Sequence, residues 1–123
     1  MGMKPIEKGA IFMGNLARLF SLLAEQRGAS QAELGRHTGF SQPQISRIFA
    51  RVTAISVAQA YALAEALDVD IVLVVAGAEW MTTKKIPQCL TPLEVAEVAG
   101  WFDVAAKQGW DFLAEGEAQA GNP

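Results

Sequence analysis

Helix punctuation constrains this chain more than any other feature, because caps and stops recur so closely that only short helices fit between them. Phe12, Leu16, Leu19, Phe20 and Leu23 fall at i, i+4, i+7, i+8 and i+11, one apolar stripe that predicts a first helix over Gly9–Arg27. Gly28 stops it, since glycine readily takes the left-handed conformation that ends helices. Ser30 and Glu33 then form a Ser-x-x-Glu capping box, which opens a second helix over Gln31–Thr38 that Gly39 closes. Ser41 caps a third, with Pro43 in the first turn where a missing N–H costs nothing, and this helix is expected to end near Arg51. Ser56 caps a fourth, with Val57, Ala60, Leu63, Ala64 and Leu67 on one side and Asp68-Val69 at its close.

The pattern changes after Val69. Ile71 to Val75 is short, rich in β-branched residues and bounded by Asp70 and Gly77, so it reads as a strand buried on both faces. Trp80 to Gln88 reads as a loop. Thr91-Pro92-Leu93-Glu94 opens a last helix that should reach about Gln108, with Leu93, Val98, Trp101, Phe102 and Ala105 apolar and Cys89 before it as an inert packing thiol. Trp110 to Leu113 adds one more turn. Three regions are expected: a helical domain over 1–69, a strand and helix over 70–113, and a frayed tail over 114–123. The fold class is therefore mainly α, with one short β-strand and a C-terminal helix after the bundle.

A chain of 123 residues, 51% hydrophobic and 19% charged, fits one domain or a small domain with an appendage. Its longest apolar run, Ile71 to Ala78, is far shorter than the roughly 20 residues that cross a bilayer. No secretory leader is read in Met1 to Lys8, so a cytoplasmic location is expected. A single cysteine excludes an internal disulfide framework and an all-cysteine metal site. No HExxH, GxxxxGK[ST] or GxSxG pattern occurs, and Glu94 and Glu97 are expected on an exposed helix face. An enzyme is not expected, nor is a cofactor or metal.

Net charge is −3, but it is unevenly spread. Residues 1–68 carry seven Lys/Arg against five Asp/Glu, +2, whereas residues 69–123 carry three against eight, −5. A polyanion would be met by the first part. The third helix places Ile45, Ile48 and Phe49 on one side and Pro43, Ser46, Arg47, Ala50 and Arg51 opposite, with Gln42 at the N-terminal end. A polar face alone marks any amphipathic helix. A short capped helix, a glycine turn and a second capped helix together form a helix-turn-helix arrangement, in which such a face can enter the major groove. Arginine there reads guanine bidentately and glutamine reads adenine.

Residues 16–69 resemble the lambda-repressor-like, or Xre, family of DNA-binding transcriptional regulators. Ser30 to Gly39 is similar to the family's second helix and turn, Ser41 to Phe49 to its recognition helix, and Ser56-Val57 through Ala60, Leu63-Ala64, Leu67 and Val69 to its fourth helix. Two positions depart from it: Gly35 replaces the usual alanine, and Phe49-Ala50-Arg51 replaces a common Glu-x-Gly. The resemblance implies base contacts at Gln42, Pro43 and Arg47, to which the polar face adds Ser46. It implies a phosphate contact from Gln31, which would also steady Gln42. Gln44 is expected on the DNA backbone, as is Arg51, the latter on geometry alone.

The expected protein is thus a sequence-specific regulator of duplex DNA, a repressor of phage-repressor (immunity repressor) or bacterial Xre type. The alternative is an antitoxin whose C-terminal part engages a toxin partner, since a strand after the fourth helix resembles an antitoxin-like branch of the family. One apolar strand cannot stay unpaired. Its expected partner is the same strand of a second chain, a homodimer interface through Ile71, Leu73, Val74 and Val75. The rival is Lys84-Lys85-Ile86 of the same chain. Leu90 to Gly100 faintly resembles the opening of excisionase-type winged helices, but its acidic continuation discounts a second DNA reader.

Overall fold

A computed structural model describes residues 2–107 and forms six helices there: α1 over Pro5–Gln26, α2 over Gln31–Thr38, α3 over Gln42–Phe49, α4 over Val57–Leu67, α5 over Ile71–Thr83 and α6 over Pro92–Lys107. The expected turn at Trp110 to Leu113 and the tail from Ala114 lie outside the described residues.

Local hydrogen bonds explain why the helices begin where they do. Ser30 Oγ accepts from the Glu33 N–H at 3.1 Å while Glu33 Oε1 accepts from the Ser30 N–H at 3.2 Å. Ser41 with Gln44, Ser56 with Gln59 and Thr91 with Glu94 make the same reciprocal pair, so α2, α3, α4 and α6 all start in a capping box. The glutamine boxes follow the same rule as Ser-x-x-Glu and were legible as Ser-x-x-Gln.

The helix ends share a second device. After α1, the Ala29 N–H reaches Ala24 O at 2.9 Å and the Gly28 N–H reaches Glu25 O at 3.1 Å, with Gly28 at φ +64°. This paired closure repeats after α3, with Arg51 at φ +62°, and after α4, with Asp68 at φ +55°. α3 therefore ends at Phe49, and Arg51 lies beyond it rather than on its exposed face. α1 begins a turn earlier than its apolar stripe suggests, with Pro5 in its first turn.

The segment expected to be a strand is helical. Ile71 to Val75 opens α5, and Asp70 caps it by accepting from the Val72 N–H at 2.9 Å. Leu73, Val74, Gly77, Ala78 and Met81 are buried at i, i+1, i+4, i+5 and i+8, a helical stripe that continues through the glycine read as a strand boundary. A Cβ on Gly77 would lie 3.0 Å from Leu19 Cδ1, 3.5 Å from Trp101 Cζ3 and 3.6 Å from Val98 Cγ1. Gly77 is where α1, α5 and α6 cross. Burial on several sides overrides the β-propensity of the valines, and a helix satisfies its own backbone groups without a partner strand.

With the strand go the two-chain ladder, its rival at Lys84-Lys85-Ile86 and the loop starting at Trp80, since α5 continues to Thr83. Leu73 and Val74 are buried in this chain's own core, Ile71 is half-buried and Val75 is partly exposed. The core gathers Leu16, Leu19, Phe20, Leu22 and Leu23 of α1 against Leu34, Ile45, Ile48, Leu63 and Leu67, and on the far side against Val74, Met81, Val98 and Trp101. Trp80 and Phe102 meet edge to face at 4.9 Å, joining α5 to α6. Three expected packing residues face solvent instead: Val57 is 84% exposed, Leu93 is 83% exposed, and the Cys89 thiol is also exposed.

Candidate nucleic-acid interface

The interface is built outward from two buried anchors on each short helix. Leu34 and Gly35 fix α2 to the core, and Ile45 and Ile48 fix α3. Between them the chain turns tightly. Gly39, at φ +82°, donates its N–H to Gly35 O at 2.9 Å, Thr38 Oγ1 donates to Leu34 O at 2.7 Å, and the Phe40 N–H donates to Thr38 Oγ1 at 3.2 Å. Gly35 makes this turn possible. A Cβ there would stand 2.8 Å from Phe40 O, so the residue that departs from the family's alanine is a close-approach point.

With the turn set, the outward face of α3 is decided by its inward one. Ile45 and Ile48 are fully buried and Phe49 is half-buried, which leaves Gln42, Pro43, Ser46 and Arg47 exposed together at i, i+1, i+4 and i+5. Gln44 is also exposed, but its Oε1 accepts from the Ser41 N–H at 2.8 Å, so only its amide N–H groups remain to donate outward. Gln31, at the start of α2, is half-buried. Arg51 stands apart from the α3 face, with its Cδ 3.6 Å from the Cβ position of Gly14 on α1.

The electrostatics at α2 are local. The Ser30 N–H holds the Glu33 carboxyl below its ordinary range, helped by the Ser30 side chain and then by Arg36 and His37. Arg36, His37 and Arg47 are each exposed. The C-terminal end of α3 is held by its last carbonyls: Arg47 O accepts from the Val52 N–H at 2.9 Å and the Thr53 N–H at 3.3 Å. The cue for this closure is a positive φ at Arg51, a conformation that the residue type does not announce. Among the described residues, no three His, Cys, Asp or Glu side chains gather as a metal site, and no helix is long and apolar enough to cross a membrane.

This geometry is a helix-turn-helix, and residues 22–74 match the helix-turn-helix family model. The match starts within α1, spans α2 to α4 and ends in the first turn of α5, which is a little under half of the chain. No curated protein and no solved structure matches the chain. The match supports a helix-turn-helix regulator and leaves the rest of α5 and all of α6 without a described relative.

Proposed function

We propose that the protein is a sequence-specific regulator of transcription that inserts α3 into the major groove of duplex DNA. The observation that carries this reading is the α3 face. Gln42, Pro43, Ser46 and Arg47 are exposed side by side on a helix whose opposite face is sealed into the core, after a turn in which the Phe40 carbonyl closes onto Gly35. Small side chains allow close approach to the base edges, while Arg47 and Gln42 supply bidentate donors and acceptors. Gln31 and the amide of Gln44 are suited to the sugar-phosphate backbone, where contacts set register. The proposed mode is repression, by occupancy of promoter DNA.

A second copy belongs to the same reading, because paired helix-turn-helix units read two half-sites about one helical turn apart, roughly 34 Å. Its proposed surface is the outer face of α5, where Val72 is 61% exposed and Val75 lies one turn along. The test of the whole reading is selection of bound duplexes from a random-sequence library, followed by titration of the selected site. Enrichment of one motif supports it, and uniform recovery of all sequences by the folded protein overturns it.

A further inference from the structure

We infer that the apolar cleft between α5 and α6 is the docking site of the chain's own segment Trp110-Asp111-Phe112-Leu113, which thereby holds α6 to the domain. The cleft has a volume of about 390 Å³ and is lined by Trp80, Met81 and Lys84 at the end of α5 and by Ala99, Phe102 and Asp103 of α6. Pockets that take up organic groups run from roughly 300 to 1,000 Å³. Its walls are aromatic. The Trp80 and Phe102 rings meet edge to face at 4.9 Å, and both are only half-buried, so ring surface is left open to a third aromatic group. α6 gains most from such a cover, because Val98 and Trp101 are its only buried residues among those described.

What fills the cleft follows from the chain beyond α6. Residues 108–123 come after Lys107, and Trp110, Phe112 and Leu113 are the only large apolar side chains in that stretch. Asp103 and Ala99 lie one and two turns before Lys107, roughly 6 and 12 Å along the helix axis. Gln108 to Leu113 spans up to about 20 Å when extended, which covers the length of the cleft. Gly109 allows the chain to reverse after the helix. The short tether also gives Trp110 an effective concentration of millimolar order at the cleft, which a second copy does not reach at micromolar protein.

Two variants of the full chain test the docking. Trp110→Ser removes the largest docked ring. Ala99→Arg sets a long charged side chain in the cleft from an exposed position, where arginine is almost as good a helix former as alanine and is near silent if nothing docks. Docking predicts that each lowers the thermal midpoint by several degrees. The double variant then loses no more than the larger single loss, at every protein concentration. Additive losses, or a wild-type midpoint in Trp110→Ser, overturn the inference. Coupling that grows with protein concentration assigns the cleft to a second copy and overturns it too. A second measurement keeps every docking ring in place. With the exposed Cys89 replaced by serine, Ala114→Cys is paired either with Ala99→Cys or with Glu97→Cys, which lies on the opposite side of α6. Docking predicts much faster formation of an intramolecular disulfide with residue 99, and equal rates for the two pairs overturn it.

Discussion

Asn15 Nδ2 donates to Thr82 Oγ1 at 3.0 Å, joining α1 to α5 across 67 residues of sequence. Asn15 is 4% exposed, a buried polar side chain in an otherwise apolar core, and Thr82 Oγ1 passes its own hydrogen on to Ala78 O at 2.7 Å. Thr82→Val should leave the Asn15 amide without this acceptor and destabilise the protein by about 1–3 kcal/mol in urea unfolding. Adding Asn15→Leu should recover part of that loss, because removing both partners is milder than stranding one. A double variant whose loss equals the sum of the two single losses would mean the pair is not coupled.

Gly35→Val should be the most damaging single change in α2. Its Cβ alone would stand 2.8 Å from the Phe40 carbonyl oxygen, which is backbone and cannot rotate away. Overpacking of this kind costs about 1–3 kcal/mol, and the turn must open, so binding to a selected duplex should fall along with the melting temperature. Wild-type thermal stability for Gly35→Val would show that the turn is looser than described.

Reading and positioning should separate on DNA. Arg47→Ala is expected to weaken specific binding by about 1–3 kcal/mol and relax preference at one or two base pairs. Gln31→Ala is expected to weaken binding to all sequences alike, since backbone contacts carry no sequence information. Titration against single-base variants of a selected site checks both. A changed sequence ranking in Gln31→Ala would remove α2 from the backbone.

The α2 capping box should make stability depend on acid pH. The Glu33 carboxyl has its proton affinity lowered in the folded state by the Ser30 N–H and hydroxyl, so the unfolded chain binds more protons in that window. Its contribution is present above the ordinary carboxyl value of 4.5 and is lost as pH falls through the lower folded value. Glu33→Gln should keep the box, as Gln44 and Gln59 do in α3 and α4, and flatten this part of the profile. Thermal melts from neutral to acid pH test it. An identical acid profile in both proteins would assign the loss to other groups.

On α5, two valines should behave oppositely. Val74 is fully buried, so Val74→Lys places an ammonium in the core at a cost of several kcal/mol and should prevent folding. Val72 is mostly exposed, so Val72→Lys should fold normally and lower the association constant of the proposed homodimer. Sedimentation equilibrium of wild type and Val72→Lys is the measurement. A wild-type protein that stays monomeric at micromolar concentration would remove the second copy.

The elements that were legible in advance are those whose signals are local. The Ser30–Glu33 box, the Gly39 turn, the Ser41 cap with Pro43 and the Ser56 cap each act over three or four residues, and α2, α3 and α4 begin where those residues place them. The exposed set on α3 was legible too, because a helix with Ile45 and Ile48 inside leaves Gln42, Pro43, Ser46 and Arg47 outside. Arg51 was misplaced for a related reason: a helical wheel continues past the true end of a helix. Only a bond closing onto Arg47 O shows that the wheel has stopped.

By itself, then, the sequence determined the capped helices of the first part, their order and the polar face of α3, because caps, glycine stops and apolar periodicity are short-range physics. Only the tertiary structure decided the state of Ile71 to Val75. Those residues favour a strand by type, yet they become helical where Gly77 lets α5 settle onto Leu19, Val98 and Trp101. It also decided that Gly35 is a close-approach point, that Val57 and Leu93 face solvent and that Arg51 lies over Gly14. Each of these depends on which distant surface arrives beside a residue, and the residues flanking it in sequence do not carry that information.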